Sequence, residues 1–209
     1  MISSEMRASD YVFDLDAGWP CLDFANTLEA SGTDNLNSYA DLVAFAEQSK
    51  LLAAEDAAWL RAESRRDAAT ADQVMERASQ LRRVIEDIFS ALAAGGAAPE
   101  LDLDELNQEL AAGLSHARVV ASKRTYYWGF EGRNMDAPLW PISRSAADLL
   151  TSETDLGKVR QCGGSDCNWL FLDTSKNRTR QWCSMQSCGN REKARRHYER
   201  QRRARVDQA

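Results

Sequence analysis

Residues 162–191 read CGGSDCNWLFLDTSKNRTRQWCSMQSCGNR, and this stretch decides how the C-terminal part of the chain folds. It contains two pairs of cysteines, with four residues inside each pair and fifteen between the pairs: Cys162, Cys167, Cys183 and Cys188. Two close pairs joined by a short connection supply the four thiolates of a tetrahedral zinc site. The pattern therefore predicts one structural zinc ion bound by these four cysteines.

The residues around the cysteines predict a small fold. Glycines inside the first pair permit a tight loop, or knuckle. Residues 169–173 and 180–183 have strand character and are separated by a polar turn, which predicts a β-hairpin that returns Cys183 to the first pair. Asn190 can cap a helix that begins at Arg191. Knuckle, hairpin and helix around one metal predict a treble-clef-like zinc finger.

The predicted C-terminal helix is rich in arginine, which suits contact with nucleic-acid phosphates. We therefore expect DNA to be the partner of the finger. The candidate contact residues are Arg178, Arg180, Arg191, Lys193, Arg195, Arg196, Arg200, Arg202 and Arg203. Three alternatives remain: RNA binding through the same charges, docking of the basic helix on an acidic protein, and a solvated helix with internal pairs such as Glu192 with Arg196.

The charge distribution separates the finger from the rest of the chain. The 209-residue chain has a net charge of −6. Counted from the sequence, the segment from Lys158 to Ala209 has a balance of +8, and the remaining residues have a balance of −14. A basic segment attached to an acidic body indicates that the two parts meet different partners.

The body is predicted to be a mainly helical α+β domain over residues 1–155, followed by the zinc finger over 156–209. Apolar periodicity predicts helices over about 21–30, 38–48, 55–66, 70–94, 102–113 and 138–152. Alternating or β-rich residues predict strands over 11–15, 117–121 and 124–130, and these could form one small antiparallel sheet.

A second candidate site lies in the body, where polar residues interrupt apolar helices. These residues are Asp23, Asn26, Thr27 and Arg82. Buried polar groups must find partners. They can pair with one another, for instance Asp23 with Arg82, or they can bind an unknown small-molecule ligand.

Other features bound the functional class. No apolar run is long enough to cross a membrane, and the N-terminus lacks a secretory signal, so we expect a cytoplasmic protein in which reduced thiols favour metal over disulfides. A closed four-thiolate site has no position for a catalytic water, and the body has no nucleophile–base motif, so we expect no enzyme activity. One helix gives limited reach on DNA, which makes a homodimer through the body a state to consider.

The finger resembles the CGNR zinc-finger family of bacterial proteins. The resemblance is carried by Cys162, Cys167, Trp169-Leu170-Phe171-Leu172-Asp173, Asn177-Arg178, Trp182-Cys183-Ser184, Cys188-Gly189-Asn190-Arg191, Lys193 and Ala194. The body resembles the ABATE domain that usually precedes this finger, through Leu22-Asp23-Phe24-Ala25-Asn26-Thr27-Leu28, Leu81-Arg82, Trp140-Pro141-Ile142 and Ser145-Ala146. The resemblance implies a stress-induced transcription regulator whose finger binds DNA and whose body senses a ligand.

Overall fold

The computed structural model describes residues 11–206, and side chains as far as residue 201. The described chain contains seven α-helices: α1 (Pro20–Ala25), α2 (Tyr39–Gln48), α3 (Ala54–Ser64), α4 (Ala68–Ala93), α5 (Glu100–Leu114), α6 (Leu139–Leu150) and α7 (Asn190–Val206). Its strands are β1 (Ala117–Ser122), β2 (Thr125–Phe130), β3 (Val159–Gln161) and β4 (Leu170–Leu172). The predicted α+β class with a zinc finger at its C-terminal end is confirmed. Across the described residues, every helix is too short or too polar to cross a membrane.

The long helix α4 organises the core. Its N-terminus is capped by the Asp67 side chain, which accepts a hydrogen bond of 3.0 Å from the Thr70 amide. Leu81, Ile85 and Phe89 of its apolar stripe are fully buried. Helices α1, α2, α3, α5 and α6 pack around α4, because each has an apolar face that must be covered.

Helix α1 is shorter than the predicted 21–30, because polar side chains at its end bond to the backbone of the helix itself and to that of β4. The Thr27 hydroxyl donates to the Phe24 carbonyl over 2.7 Å, and the side chain of Asn26 reaches the backbone of Leu170. The chain then turns and forms an isolated bridge between Leu28 and Asp34. The extension of the predicted helix to residue 30 was therefore wrong.

The predicted strand over 11–15 is also wrong. This segment is not a strand, and it pairs with no strand in the part of the chain that the structure describes. Its backbone bonds instead to a side chain: the Phe13 amide donates to Gln48 Oε1 (3.0 Å), and Gln48 Nε2 donates to the Tyr11 carbonyl (2.8 Å). The Phe13 ring packs edge-on against Phe45 in the core. The alternation in the sequence therefore reflects one buried ring and not a sheet.

The predicted hairpin of the body is confirmed as β1 and β2, which pair antiparallel from Ala117 with Phe130 to Ser122 with Thr125. Lys123 adopts a left-handed φ of 51° at the turn, although the sequence there lacks glycine. No residue of either strand is buried. The hairpin forms a two-stranded sheet by itself, because the segment at 11–15 does not join it.

The second sheet joins the zinc finger to the body. Strand β3 pairs antiparallel with β4, and Val159, Leu170 and Leu172 belong to the main hydrophobic core. The Leu172 amide donates to the Ala17 carbonyl over 2.8 Å. A side chain at Gly18, whose φ is +95°, would lie 3.1 Å from the Leu172 Cβ atom. Glycine is therefore required for this close approach.

Candidate metal centre and basic helix

The four cysteines of the finger converge on one point. Their sulfur atoms all lie within 4.8 Å of one another, with Cys167 and Cys183 Sγ 3.7 Å apart and Cys183 and Cys188 Sγ 3.6 Å apart. Zinc–sulfur bonds of about 2.3 Å in a tetrahedron place the sulfurs about 3.8 Å apart. The donor set and its spacing therefore fit one zinc ion, as the sequence predicted.

The first cysteine pair sits in a knuckle between β3 and β4. The Cys162 amide donates to the Trp169 carbonyl over 2.8 Å, and the Cys167 amide donates to Gly164 over 3.2 Å. A Cβ atom at Gly164 would lie 3.4 to 3.6 Å from Cys167, Cys162 and Cys188 atoms. The knuckle thus closes tightly around the sulfurs. The predicted strand over 169–173 exists as β4, but its partner is β3.

The predicted return strand over 180–183 is therefore wrong. This segment is held by side chains: the buried Asp173 carboxylate accepts hydrogen bonds from the Ser175 and Arg180 amides over 2.9 and 3.0 Å. The Arg180 guanidinium donates to the carbonyls of Trp182 and Cys183, and it lies 4.6 Å from the centre of the Phe171 ring. Arg180, expected to contact nucleic acid, thus uses its cation to position the second cysteine pair.

The electrostatics of the thiols require a cation. A hydrogen bond with Cys183 lowers the pKa of Cys167 to about 5, and the same interaction raises the pKa of the Cys183 thiol. Burial raises the pKa of Cys162. The hydrogen bond thus favours ionisation of one thiol, whereas the first negative charge opposes ionisation of its neighbours. A divalent ion removes this repulsion and holds all four as thiolates.

The surroundings of the metal site are closed. Cys162 and Cys188 are buried, and the half-buried Trp169 and Trp182 pack on them, as expected for a small core that shields the ion. The sulfurs also accept hydrogen bonds: the Cys183 amide donates to Cys162 Sγ, and the Arg191 guanidinium donates to Cys188 Sγ, both over 3.4 Å. These donors stabilise thiolate charge. The site has the features of structural zinc.

The basic helix begins differently from the prediction. One turn of π-helix, Met185–Gly189, precedes α7, and Ser184 caps it by accepting a hydrogen bond from the Ser187 amide. Asn190 is already helical, and its side chain donates to the Gln186 carbonyl. The predicted cap at Asn190 is therefore wrong. The π-turn contains Cys188, so a metal ligand lies directly at the base of α7.

Glu192 connects α7 to the knuckle through hydrogen bonds, a role that was not predicted from the sequence. Its buried carboxylate accepts hydrogen bonds from the amide and the hydroxyl of Ser165, both over 3.1 Å, and from Arg195 over 2.8 Å. The hydrogen bond from the Ser165 amide contributes most to holding the pKa of Glu192 below its usual range. Together with the other hydrogen bonds it outweighs burial, which acts to raise that pKa. The expected Glu192–Arg196 pair is replaced by Glu192–Arg195. The sequence offered one signal for this role of Glu192: it follows the metal ligand Cys188 by four residues.

The remaining candidate cations separate into two groups. Arg191 and Arg195 bond within the finger, to Cys188 and Glu192. Arg178 is exposed at a turn. Three further cations are exposed on α7, where they line a surface groove of about 430 Å³ together with Glu199: Lys193, Arg196 and Arg200. Arg202 and Arg203 lie in α7, but their side chains fall outside the described part.

The polar candidates of the body all have internal partners. Arg82 donates to both carboxylate oxygens of Asp34 over 2.6 and 2.7 Å and to Thr27 over 3.1 Å. Asp23 accepts from the Ala17 amide over 2.9 Å. The suggested pair of Asp23 with Arg82 is therefore wrong, because the Arg82 guanidinium forms its ion pair with Asp34, which lies in the loop after α1.

Asn26 connects the body to the finger. Its amide group donates to the Leu170 carbonyl over 2.9 Å, and its carbonyl accepts from the Leu170 amide over 2.8 Å. The side chain thereby acts like one residue of a neighbouring strand. A residue considered for ligand binding is thus a structural link between α1 and β4.

The fold and the site define a class: a helical body that carries a closed, four-cysteine zinc finger with a basic helix at its end. Comparison with protein families agrees with this description. The ABATE family model, described as "Putative stress-induced transcription regulator", matches residues 18–153, and the CGNR zinc finger model matches residues 158–201. The chain therefore belongs to the ABATE family and contains a CGNR zinc finger. No curated protein matches it.

Proposed function

We propose that this protein is a cytoplasmic, zinc-dependent transcriptional regulator that binds DNA through α7 and catalyses no reaction. In this proposal the zinc ion is structural, and the body senses a small molecule. The description of the ABATE family supports the regulatory role. The closed set of four thiolates supports a structural metal.

The observation that carries the proposal is the exposure of α7. Every described residue from Lys193 to Gln201 is exposed, so this part of the helix projects from the finger into solvent. Counted from the sequence, α7 contains eight arginine and lysine residues and two glutamates. A projecting basic helix has the diameter and the charge to enter the major groove of DNA.

The zinc site supports this role by fixing the direction of the helix. Cys188 ligates the metal at the base of α7, and Glu192 bonds to Ser165 in the knuckle. The body in turn holds β4 through Asn26 and Ala17. The basic helix is thus attached rigidly at one end, which reduces the entropy lost when it binds.

Selection from a random duplex library with the full-length, zinc-loaded protein tests the proposal. We expect enrichment of a short motif, and we expect that duplex RNA competes more weakly than duplex DNA at equal salt. A-form RNA has a narrow major groove that a helix cannot enter. Equal competition by RNA with no enriched motif would favour a general RNA-binding role, and no duplex binding at low salt would favour docking on an acidic protein.

A further inference from the structure

A cavity in the body is lined by none of the polar candidate residues Asp23, Asn26, Thr27 and Arg82. It has a volume of about 620 Å³ and lies between the β1–β2 hairpin, the start of α3 and the start of α6. This volume is typical of pockets that bind small molecules. Aromatic side chains from three elements line it: Trp59, Tyr127, Trp128, Phe130 and Trp140.

The walls of the cavity differ in rigidity. Trp140 is buried, and His116 stacks on its ring with a centroid distance of 3.9 Å and an interplanar angle of 8°. The hairpin wall contains no buried residue, and Tyr127 and Trp128 are 54% and 52% exposed. Two aromatic residues that are this exposed gain free energy when a planar ring covers them. The cavity therefore has one rigid wall, formed by Trp140 on α6, and one exposed wall, formed by the β1–β2 hairpin.

Polar groups in the lining indicate which end of a ligand would be charged. Lys50 and Arg133 line the cavity opposite one carboxylate, Asp56. The ion pair of Arg133 with Glu55 is 3.7 Å long and exposed, so it restrains the arginine little. A negatively charged oxygen would pair with these two cations, which outnumber the single carboxylate of the lining.

We propose that this cavity binds a planar aromatic acid. The ring stacks between the hairpin and α6, and the carboxylate pairs with Lys50 or Arg133 in the lining. This assignment rests on the sensing function proposed for the body, because it names the class of molecule that the body senses. The Asp23 and Arg82 cluster is excluded as the ligand site, since its polar groups already bond to one another or to the backbone.

The cavity is connected to the finger by packed elements. Helix α6 contains Trp140 and also Ser145, whose hydroxyl accepts a hydrogen bond of 3.1 Å from the Cys21 amide in α1. Helix α1 leads to Asn26, which bonds to Leu170 in β4. When a ligand displaces the start of α6, these contiguous contacts are a route that carries the displacement to the base of the finger.

Calorimetric titration of the full-length, zinc-loaded protein with 2-naphthoate tests the site. We expect a dissociation constant below about 1 mM. Cyclohexanecarboxylate, which has the charge but not the aromatic ring, should bind at least about tenfold more weakly. In ¹⁵N spectra of the tryptophan side chains, naphthoate should shift the indole N–H resonances of the lining residues Trp59 and Trp128.

Matched variants on one strand make the test specific. Trp128→Ala removes a wall of the cavity and should weaken naphthoate binding about tenfold. Tyr126→Ala removes a more exposed aromatic (76% against 52% for Trp128) that does not line the cavity, and binding should stay within about twofold. Both side chains are exposed, so both variants should fold, which thermal unfolding checks.

The outcomes separate the site from the function. No naphthoate binding by the wild-type protein, or equal losses in the two variants, would overturn the site and leave the DNA-binding proposal standing. Sedimentation that shows a dimer broken by Trp128→Ala, with naphthoate excluded, would also overturn it, because a second copy would cover the cavity. Specific naphthoate binding that leaves DNA affinity unchanged would support the site and contradict the sensing function.

Discussion

Asp23 illustrates how one buried carboxyl group affects the whole domain. Burial raises its pKa from 3.8 to about 7, the hydrogen bond from the Ala17 amide opposes this rise, and Asp14 and Asp16 add to it. The folded protein therefore binds this proton more tightly than the unfolded chain does. The contribution to the free energy of unfolding is fully present below pH 3.8, is lost as the pH rises from there to about 7, and changes little at higher pH.

Asp23→Asn should remove this dependence on pH, because the amide has no proton to lose near neutrality. Relative to the wild type, the variant's free energy of unfolding should increase by about 1 kcal/mol between pH 6 and pH 8. Urea unfolding at both pH values measures it. Asp104→Asn, at an exposed position, is the control, and a similar change in both variants would contradict the account.

The cysteines were predictable from the sequence because metal ligands need fixed residue types at short spacing. The partners of Arg82 and Arg180 were not, because each depends on where a loop runs. Asp34 reaches Arg82 from the turn after α1, and Arg180 bonds to carbonyls whose direction no side-chain pattern records. Charged side chains that look free in a sequence are often bound in the fold.

At the scale of elements, periodicity identified the long helices well. Helices α2 to α6 follow apolar repeats that the core requires, and the predicted bounds are close to those observed. The short elements were less predictable. Strand β3 has three residues, too few for a pattern, and it forms only because β4 and α4 lie beside it. The finger's hairpin was therefore assigned to the wrong partner strand.

The contact between β4 and the start of the body provides a test of how the finger docks. Gly18→Ala should lower the free energy of unfolding by about 1–3 kcal/mol, because alanine is strained at φ +95° and meets Leu172. Gly157→Ala is the matched control, since a methyl group there enters open space. Urea unfolding compares the two; equal stability would show that the close contact between Gly18 and β4 is unimportant.

At the scale of the molecule, the body and finger form adjoining sequence units that share a core. Val159, Leu170 and Leu172 belong to the finger segment, yet they pack with the apolar residues of the body. The charge asymmetry predicted two parts with different partners, but composition alone does not indicate how they dock. That information lies in Asn26, Ala17 and Gly18, whose contacts are long-range.

Zinc removal should therefore affect the two parts unequally. Zinc binding contributes folding free energy on the order of 10 kcal/mol to a small module. After chelation, amide exchange should become fast over 183–201, while the amides of α4 stay protected. The melting temperature of the body should also fall, because β3 and β4 lose one side of their support. Protected amides throughout 183–201 in metal-free protein would contradict this expectation.

The central claim, that α7 binds DNA, is tested most directly by the salt dependence of binding. The variant Lys193→Ala/Arg196→Ala/Arg200→Ala removes three exposed cations of α7 without touching the zinc ligands. Its control, Arg65→Ala/Arg66→Ala/Arg124→Ala, removes three exposed cations from the body and changes the net charge equally. Fluorescence anisotropy with a selected duplex over a range of salt concentrations gives the affinity and its salt slope. The account predicts that the α7 variant keeps its zinc and that its slope falls by about 2 to 3, whereas the control resembles the wild type. Equal slopes for the two variants would contradict it.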